Sequence, residues 1–243
     1  MQYVTPTKKG KKRRKEAPPP PLKRTMYKFT GIAPELNYLD CAKTLSALTA
    51  PTDCSGGEMN PTTGCTGCLS APSQGDAYNQ RDGSKITIKS ILIQGSLYIP
   101  NQNDQTTCDF VPIVTIALVL DKQTNGSTLN SEDVYTNLSG EALQNYSVLR
   151  NPSYTKRFKV LKFKQIPLHN PSIQYDGTNI EQGGYSVAFT ISKDLNVDVS
   201  FQTGATTANV SGVVDNSLHL IAWVSNTGLA CQLGYNSRIR FYG

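Results

Sequence analysis

The chain has 243 residues, of which 38% are hydrophobic and 17% charged, with a formal net charge of +6. That balance fits a folded, loop-rich body rather than a disordered chain, and the length allows one large all-β domain or two small ones. The longest apolar run, Val111–Leu120, is ten residues broken by Pro112 and Thr115, too short to span a bilayer. The basic N-terminus lacks the apolar stretch of a secretory signal, so neither membrane insertion nor export is expected.

The net charge conceals a division. Residues 1–28 carry ten cations (Lys8, Lys9, Lys11, Lys12, Arg13, Arg14, Lys15, Lys23, Arg24 and Lys28) against one acid, Glu16, giving +9. The remaining 215 residues hold 14 basic and 17 acidic side chains, giving −3. The segment has no apolar periodicity and contains the run Pro18–Pro21, which favours an extended, solvated backbone. It reads as a basic arm with a stiff polyproline spacer, disordered unless bound. A polyanion is the partner such a tail calls for.

Residues 29–84 read as an irregular lead-in. Leu36, Leu39, Leu45 and Leu48 recur at multiples of three, a weak helical signal bounded closely by Pro34 and Pro51. Thr52–Gly75, rich in Gly, Pro, Thr and Cys, reads as a long surface loop. From Lys85 the pattern turns strand-like. Lys85–Ile99 alternates at first, Val111–Leu120 has the Val/Ile/Thr content of a buried strand, and Arg157–Ile166 mixes aromatics with lysines. Further strands are expected at Tyr185–Ile191, Val197–Phe201, Leu218–Val224 and Ser237–Tyr242, with turns at Asn125-Gly126, Asp176-Gly177 and Gly183-Gly184. Ser131–Val134 reads as a capped turn. So many strands with almost no helix point to an all-β sandwich, an eight-stranded jelly roll occupying residues 85–243.

Five segments bear a family likeness in matching order. They are Glu35–Asp40, Gln74–Ile91, Leu118–Gly126, Lys156–Lys162 and Arg238–Phe241. Together they resemble the coat proteins of circular, Rep-encoding single-stranded DNA viruses (circovirus-like) and are similar also to the coat proteins of necrosis-virus satellites. The resemblance implies a single jelly roll that self-assembles into a small icosahedral, T=1-like shell of roughly sixty copies. It implies a single-stranded DNA genome as partner, an RNA genome being the alternative, since a lysine arm does not distinguish them. It further implies a place in the virion, passage through the host nucleus, and a cell-surface receptor. The cysteine-bearing stretch Cys41–Cys68 is not part of the likeness.

The arm block Lys8–Lys15 places seven cations in eight positions. Each can neutralise a phosphate and release a counterion, giving salt-sensitive binding indifferent to sequence. The same block with Lys23-Arg24 fits a bipartite nuclear-import signal read by host import machinery, alone or alongside packaging. A second basic cluster, Lys156, Arg157, Lys159, Lys162 and Lys164, is interleaved with Phe158 and Phe163. It suits phosphate at an inner shell wall with Phe158 as a base-stacking surface, or else a solvated strand face with its aromatics in the core. Arg238 and Arg240 either join that lining or pair with acids of a neighbouring subunit.

Cys54, Cys65 and Cys68 are candidates for a disulfide, with free thiols as the alternative. One CxxC knuckle without a second is a poor zinc signature. His169 and His219 sit in no triad or metal-ligand spacing, and His219 reads as a packed core residue. Nothing resembles a cofactor motif or an enzyme site, and none is expected. Two other readings remain open: a non-capsid nuclear nucleic-acid-binding β-sandwich, and a jelly-roll lectin with an incidental basic tail.

Overall fold

In the computed structural model, Asn37, Leu39 and Cys41 are buried while Tyr38, Asp40 and Ala42 between them are half-buried. This period of two makes Asn37–Leu48 a strand, β1. The spacing of leucines by threes that suggested a helix is therefore overridden by pairing. Leu39 and Leu45 lie opposite Ile239 and Leu233 on the last strand, and this long-range apolar match outweighs a weak local signal. The structure describes residues 36–48, 51–57, 65–99, 102–105, 112–136, 148–168, 173–175, 180–182, 184–225 and 231–243. The basic arm lies outside them.

Eight further strands complete two sheets: β2 (Thr52–Asp53), β3 (Lys85–Ile99), β4 (Ile113–Asp121), β5 (Phe158–Pro167), β6 (Tyr185–Phe201), β7 (Val213–Asp215), β8 (Ser217–Val224) and β9 (Cys231–Tyr242). Sheet one has the order β1-β9-β3-β6-β7 and sheet two the order β5-β4-β8-β2. Every pairing within them is antiparallel, and the pairs are nested. The first strand pairs with the last, β2 with β8, β3 with β6, and β4 with β5 at the tip. A long hairpin rolled over itself in this way is a jelly roll, with β7 a short addition at one edge. The sandwich thus begins at β1 and not at Lys85, because β1 and β2 each close a sheet edge.

β4 and β8 are Val/Ile/Leu-rich because both of their faces are covered. Ile116, Leu118, Leu120, Leu218, Leu220 and Val224 join Ile91, Ile93, Leu97, Leu233, Ile239 and Phe241 between the sheets. On the outside of sheet two, Ala117, Val119, Ile221 and Trp223 pack beneath Leu129, Val134, Tyr135 and Phe158. The covering segment includes the short helix Ser131–Val134, capped by the Asn130 side chain, which accepts from Glu132 N–H at 3.3 Å.

The stretch expected as a surface loop is partly interior. Cys54, Ser55, Cys68, Leu69, Ser70 and Ala71 are all buried. They run along the edge of β8 that β2 begins to cover, where Cys54 N–H donates to Leu220 O at 2.7 Å and Leu69 N–H to Leu218 O at 2.8 Å. The Ser55 and Ser70 hydroxyls accept from Leu220 and Leu218 N–H. Small side chains suit backbone held this close to a strand. Their low hydrophobicity is what made the stretch look exposed in the sequence.

Two glycines are required by the geometry. Gly95 lies midway along β3, where a Cβ would come within 2.4 Å of Gly234 O and 2.8 Å of the Phe189 ring. Gly126 follows Asn125 in a turn with both φ positive, 71° and 49°, the conformation that an Asn-Gly pair favours. Arg81, within the segment Gln74–Ile91, is buried. Its guanidinium donates to the Gly83 and Ala205 carbonyls and lies 4.1 Å over the Phe201 ring. Among the described residues, no helix is long and apolar enough to cross a membrane.

Candidate nucleic-acid interface

β5 is an edge strand, paired only with β4, and its lysines gather on one face because of a bulge. Lys159 pairs with Leu120 and Val160 with Val119, after which Leu161 is skipped and Lys162 pairs with Leu118. One extra residue shifts the alternation by one. Lys159, Lys162 and Lys164 therefore lie opposite Leu120, Leu118 and Ile116, all on the side turned toward sheet one. Phe158, Val160 and Phe163 take the other side. The three lysines are exposed, as is Lys156 just before the strand. Lysines along an unpaired edge also discourage strand addition by another chain.

Two members of the predicted cluster do other work. Arg157 Nε and Nη2 donate to the two carboxylate oxygens of Asp121 at 2.9 and 2.8 Å. Asp121 is fully buried, and its hydrogen bond to Arg157 holds the guanidinium charged, pushing its pKa up. Arg157 is thus committed to the fold and is not a free phosphate ligand. Phe158 is 1% exposed and packs in the cluster outside sheet two, with Arg157 4.7 Å above its ring. It has no face to offer a base. The exposed aromatic of the pair is Phe163, at 51%, 6.2 Å from the Trp223 ring.

Arg238 and Arg240 both stand exposed on the outer face of sheet one. Arg238 grips Asp40 through Nε and Nη2 at 2.7 and 2.5 Å and lies 4.8 Å from the Tyr38 ring. The acid it meets belongs to its own chain. Tyr38 in turn stacks on Tyr78 at 4.8 Å, an aromatic pair with no sequence signal, since 40 positions separate its members. Lys193 on β6 was also missed, for it stands alone among polar neighbours in sequence. In space it shares an open cleft with Lys162 and the two arginines.

Of the cysteines proposed for a disulfide, Cys54 donates its S–H to Thr52 O at 3.3 Å. Burial, aided by neighbouring Asp53, pushes its thiol up to about 12. Cys68 is buried, and the Cys65 side chain lies outside the described residues. Among the described residues, no group of three or more His, Cys, Asp or Glu is placed to hold a metal ion. His169 is likewise outside them. His219 is a core residue as read from the sequence: fully buried, its Nδ1 lies 3.0 Å from Asp53 Oδ2 and its Nε2 2.8 Å from Ser217 Oγ.

A nested eight-strand sandwich of slightly negative charge, preceded by a +9 arm, defines a class: the jelly-roll coat proteins of small viruses. Residues 4–242 match the model of the Geminivirus coat protein/nuclear export factor BR1 family, and the chain belongs to that family. The likeness to coat proteins of single-stranded DNA viruses is thereby borne out, and the family matched is the geminivirus one. A coat protein is a structural component, with its place in the virion. No curated protein sequence matches the chain.

Proposed function

We propose that this viral coat protein assembles into a closed, T=1-like icosahedral shell and packages single-stranded DNA through its arm. The observation that carries the reading is the division of charge, +9 over residues 1–28 against −3 over the rest. A body of that sign does not attract a polyanion overall. The attraction comes from Lys8, Lys9, Lys11, Lys12, Arg13, Arg14, Lys15, Lys23, Arg24 and Lys28, through phosphate neutralisation and counterion release. Lys159, Lys162 and Lys164 on the exposed edge strand β5, with Lys156 just before it, add a second, weaker contact.

Deleting residues 1–28 tests this. The truncated protein should keep its β-sheet circular dichroism and lose co-purifying nucleic acid, measured by absorbance ratio. Retention of as much nucleic acid as the full chain would sink the arm as the packaging element. Electron microscopy of the full chain should show uniform spherical particles, and a persistent monomer across salt and pH would refute assembly.

A second reading, transport of DNA through the nuclear envelope, is favoured by the bipartite basic pattern of Lys8–Lys15 with Lys23-Arg24. The family description joins coat proteins with nuclear export factors. Residues 1–28 fused to a reporter should accumulate in nuclei, and a reporter left evenly distributed would remove this role.

A further inference from the structure

Sheet one and the free edge of sheet two meet in an open cleft of about 510 Å³. Its cations come from three strands distant in sequence: Lys162 on β5, Lys193 on β6, and Arg238 and Arg240 on β9. Asp194 is the acid among the lining residues, and Ser90 and Ser192 add hydroxyls. The rows across sheet one are regular. Arg240 lies beside Ser90 and Ser90 beside Asp194, while Arg238 lies beside Leu92 and Leu92 beside Ser192.

The charge of Arg238 is already matched by Asp40. That leaves Lys162, Lys193 and Arg240 against Asp194, and among the described residues none of these three cations forms an ion pair. Converging like charges repel unless screened or met by an anion. Folding brings these three together from both sheets and supplies one acid for three bases. The cleft is open, and Lys159 and Lys164 stand on the same face of β5 as Lys162. An open cleft with cations drawn from both sheets suits a chain of negative charges laid across it better than a small enclosed ion.

We infer that this cleft is a phosphodiester site: Lys162, Lys193 and Arg240, with the Ser90 and Ser192 hydroxyls, hold the backbone of a nucleic-acid single strand against the shell body. The inference rests on the packaging reading above and moves the body's contact away from Arg157 and Phe158. A groove of cations that tracks the backbone binds without regard to sequence, as a coat protein must when it covers a whole genome. An acidic segment of a neighbouring copy is the competing occupant.

The test uses full-length protein, an oligo-dT probe and a salt titration by fluorescence anisotropy. For single strands each phosphate contact contributes about −0.7 to the slope of log K against log salt. The triple variant Lys162→Gln, Lys193→Gln, Arg240→Gln should therefore flatten the slope by about 2. A second measurement needs no variant: oligo-dT should protect Lys162 and Lys193 from acetylation, read by mass spectrometry, and leave ion-paired Lys85 reactive. An unchanged slope with unprotected lysines overturns the cleft, and if neutralising the arm still flattens the slope, packaging by the arm stands without it. A slope insensitive to both changes removes the packaging reading, and the cleft with it. Particles lost while the slope stays unchanged would make the cleft a contact between copies, which also overturns the inference.

Discussion

The outer faces of the two sheets carry similar chemistry in opposite surroundings. On sheet two, Asp121, Ser217 and His219 point outward from β4 and β8 and are then covered, each 0% exposed. Arg157 meets Asp121 there, Thr124 meets Ser217 and Asp53 meets His219. On sheet one, the outward residues of β9 stay in solvent, with Arg238 48% and Asp40 31% exposed. Each face holds one two-pronged arginine–carboxylate pair of nearly the same geometry, Arg157–Asp121 and Arg238–Asp40. Geometry is therefore not what separates them. A carboxylate removed from water depends on its partner, whereas one at the surface has water to fall back on.

The sharpest way to break this comparison is to remove one arginine at a time. Arg157→Met leaves Asp121 buried with the Gln123 N–H, at 2.9 Å, as a remaining donor. The loss should be about 3 kcal/mol, at the low end for a broken buried pair because Arg157 is itself partly exposed. Urea denaturation of the dissociated subunit measures it. A loss no larger than that of the surface pair would end the contrast.

A graded effect follows from His219. Burial pulls its pKa down, but the hydrogen bond and charge of Asp53 push it up and prevail, with Cys68 and Asp121 adding to the rise. Its folded-state pKa thus lies above the ordinary 6.5, so the protonated ring stabilises the folded form. That contribution is fully present below about pH 6.5 and is lost as pH rises through the folded-state pKa. Thermal melts should show stability falling on the alkaline side, and His219→Gln should remove that part of the profile. A profile identical in the variant would show that the buried pair does not titrate with unfolding.

The smallest effect belongs to the surface pair. Asp40→Asn should cost about 0.5 kcal/mol at low salt and nothing measurable at high salt. A larger loss, or one that persists in salt, would mean that the exposed face of sheet one is less solvated than its accessibility indicates.

These contrasts were partly legible in the sequence. β4 and β8 announced themselves because strands buried on both faces are continuously apolar. The Asn125-Gly126 turn and the capped turn at Ser131–Val134 rest on local backbone chemistry, and local chemistry is what a sequence displays. β1 was misread because its leucines fit a three-residue spacing as well as a two-residue one, and only pairing with β9 decides between them. The buried residues Cys54, Ser55 and Cys68 to Ala71 were misread because small polar and sulfur-bearing residues look the same at a surface as against a strand edge.

The candidate site divides along the same line. By itself the sequence determined the separation of a +9 arm from a −3 body, since charge is a property of composition that folding does not alter. It also placed the lysines of β5 on a strand. Only the tertiary structure decided which of them are available. A one-residue bulge at Leu161 set Lys159, Lys162 and Lys164 on one face, Asp121 claimed Arg157, and Phe158 went to the core. Lys193 and Arg240 come to line one cleft with Lys162 only when the two sheets close on each other, and a juxtaposition across so many residues leaves no periodicity in the chain for a reader to find.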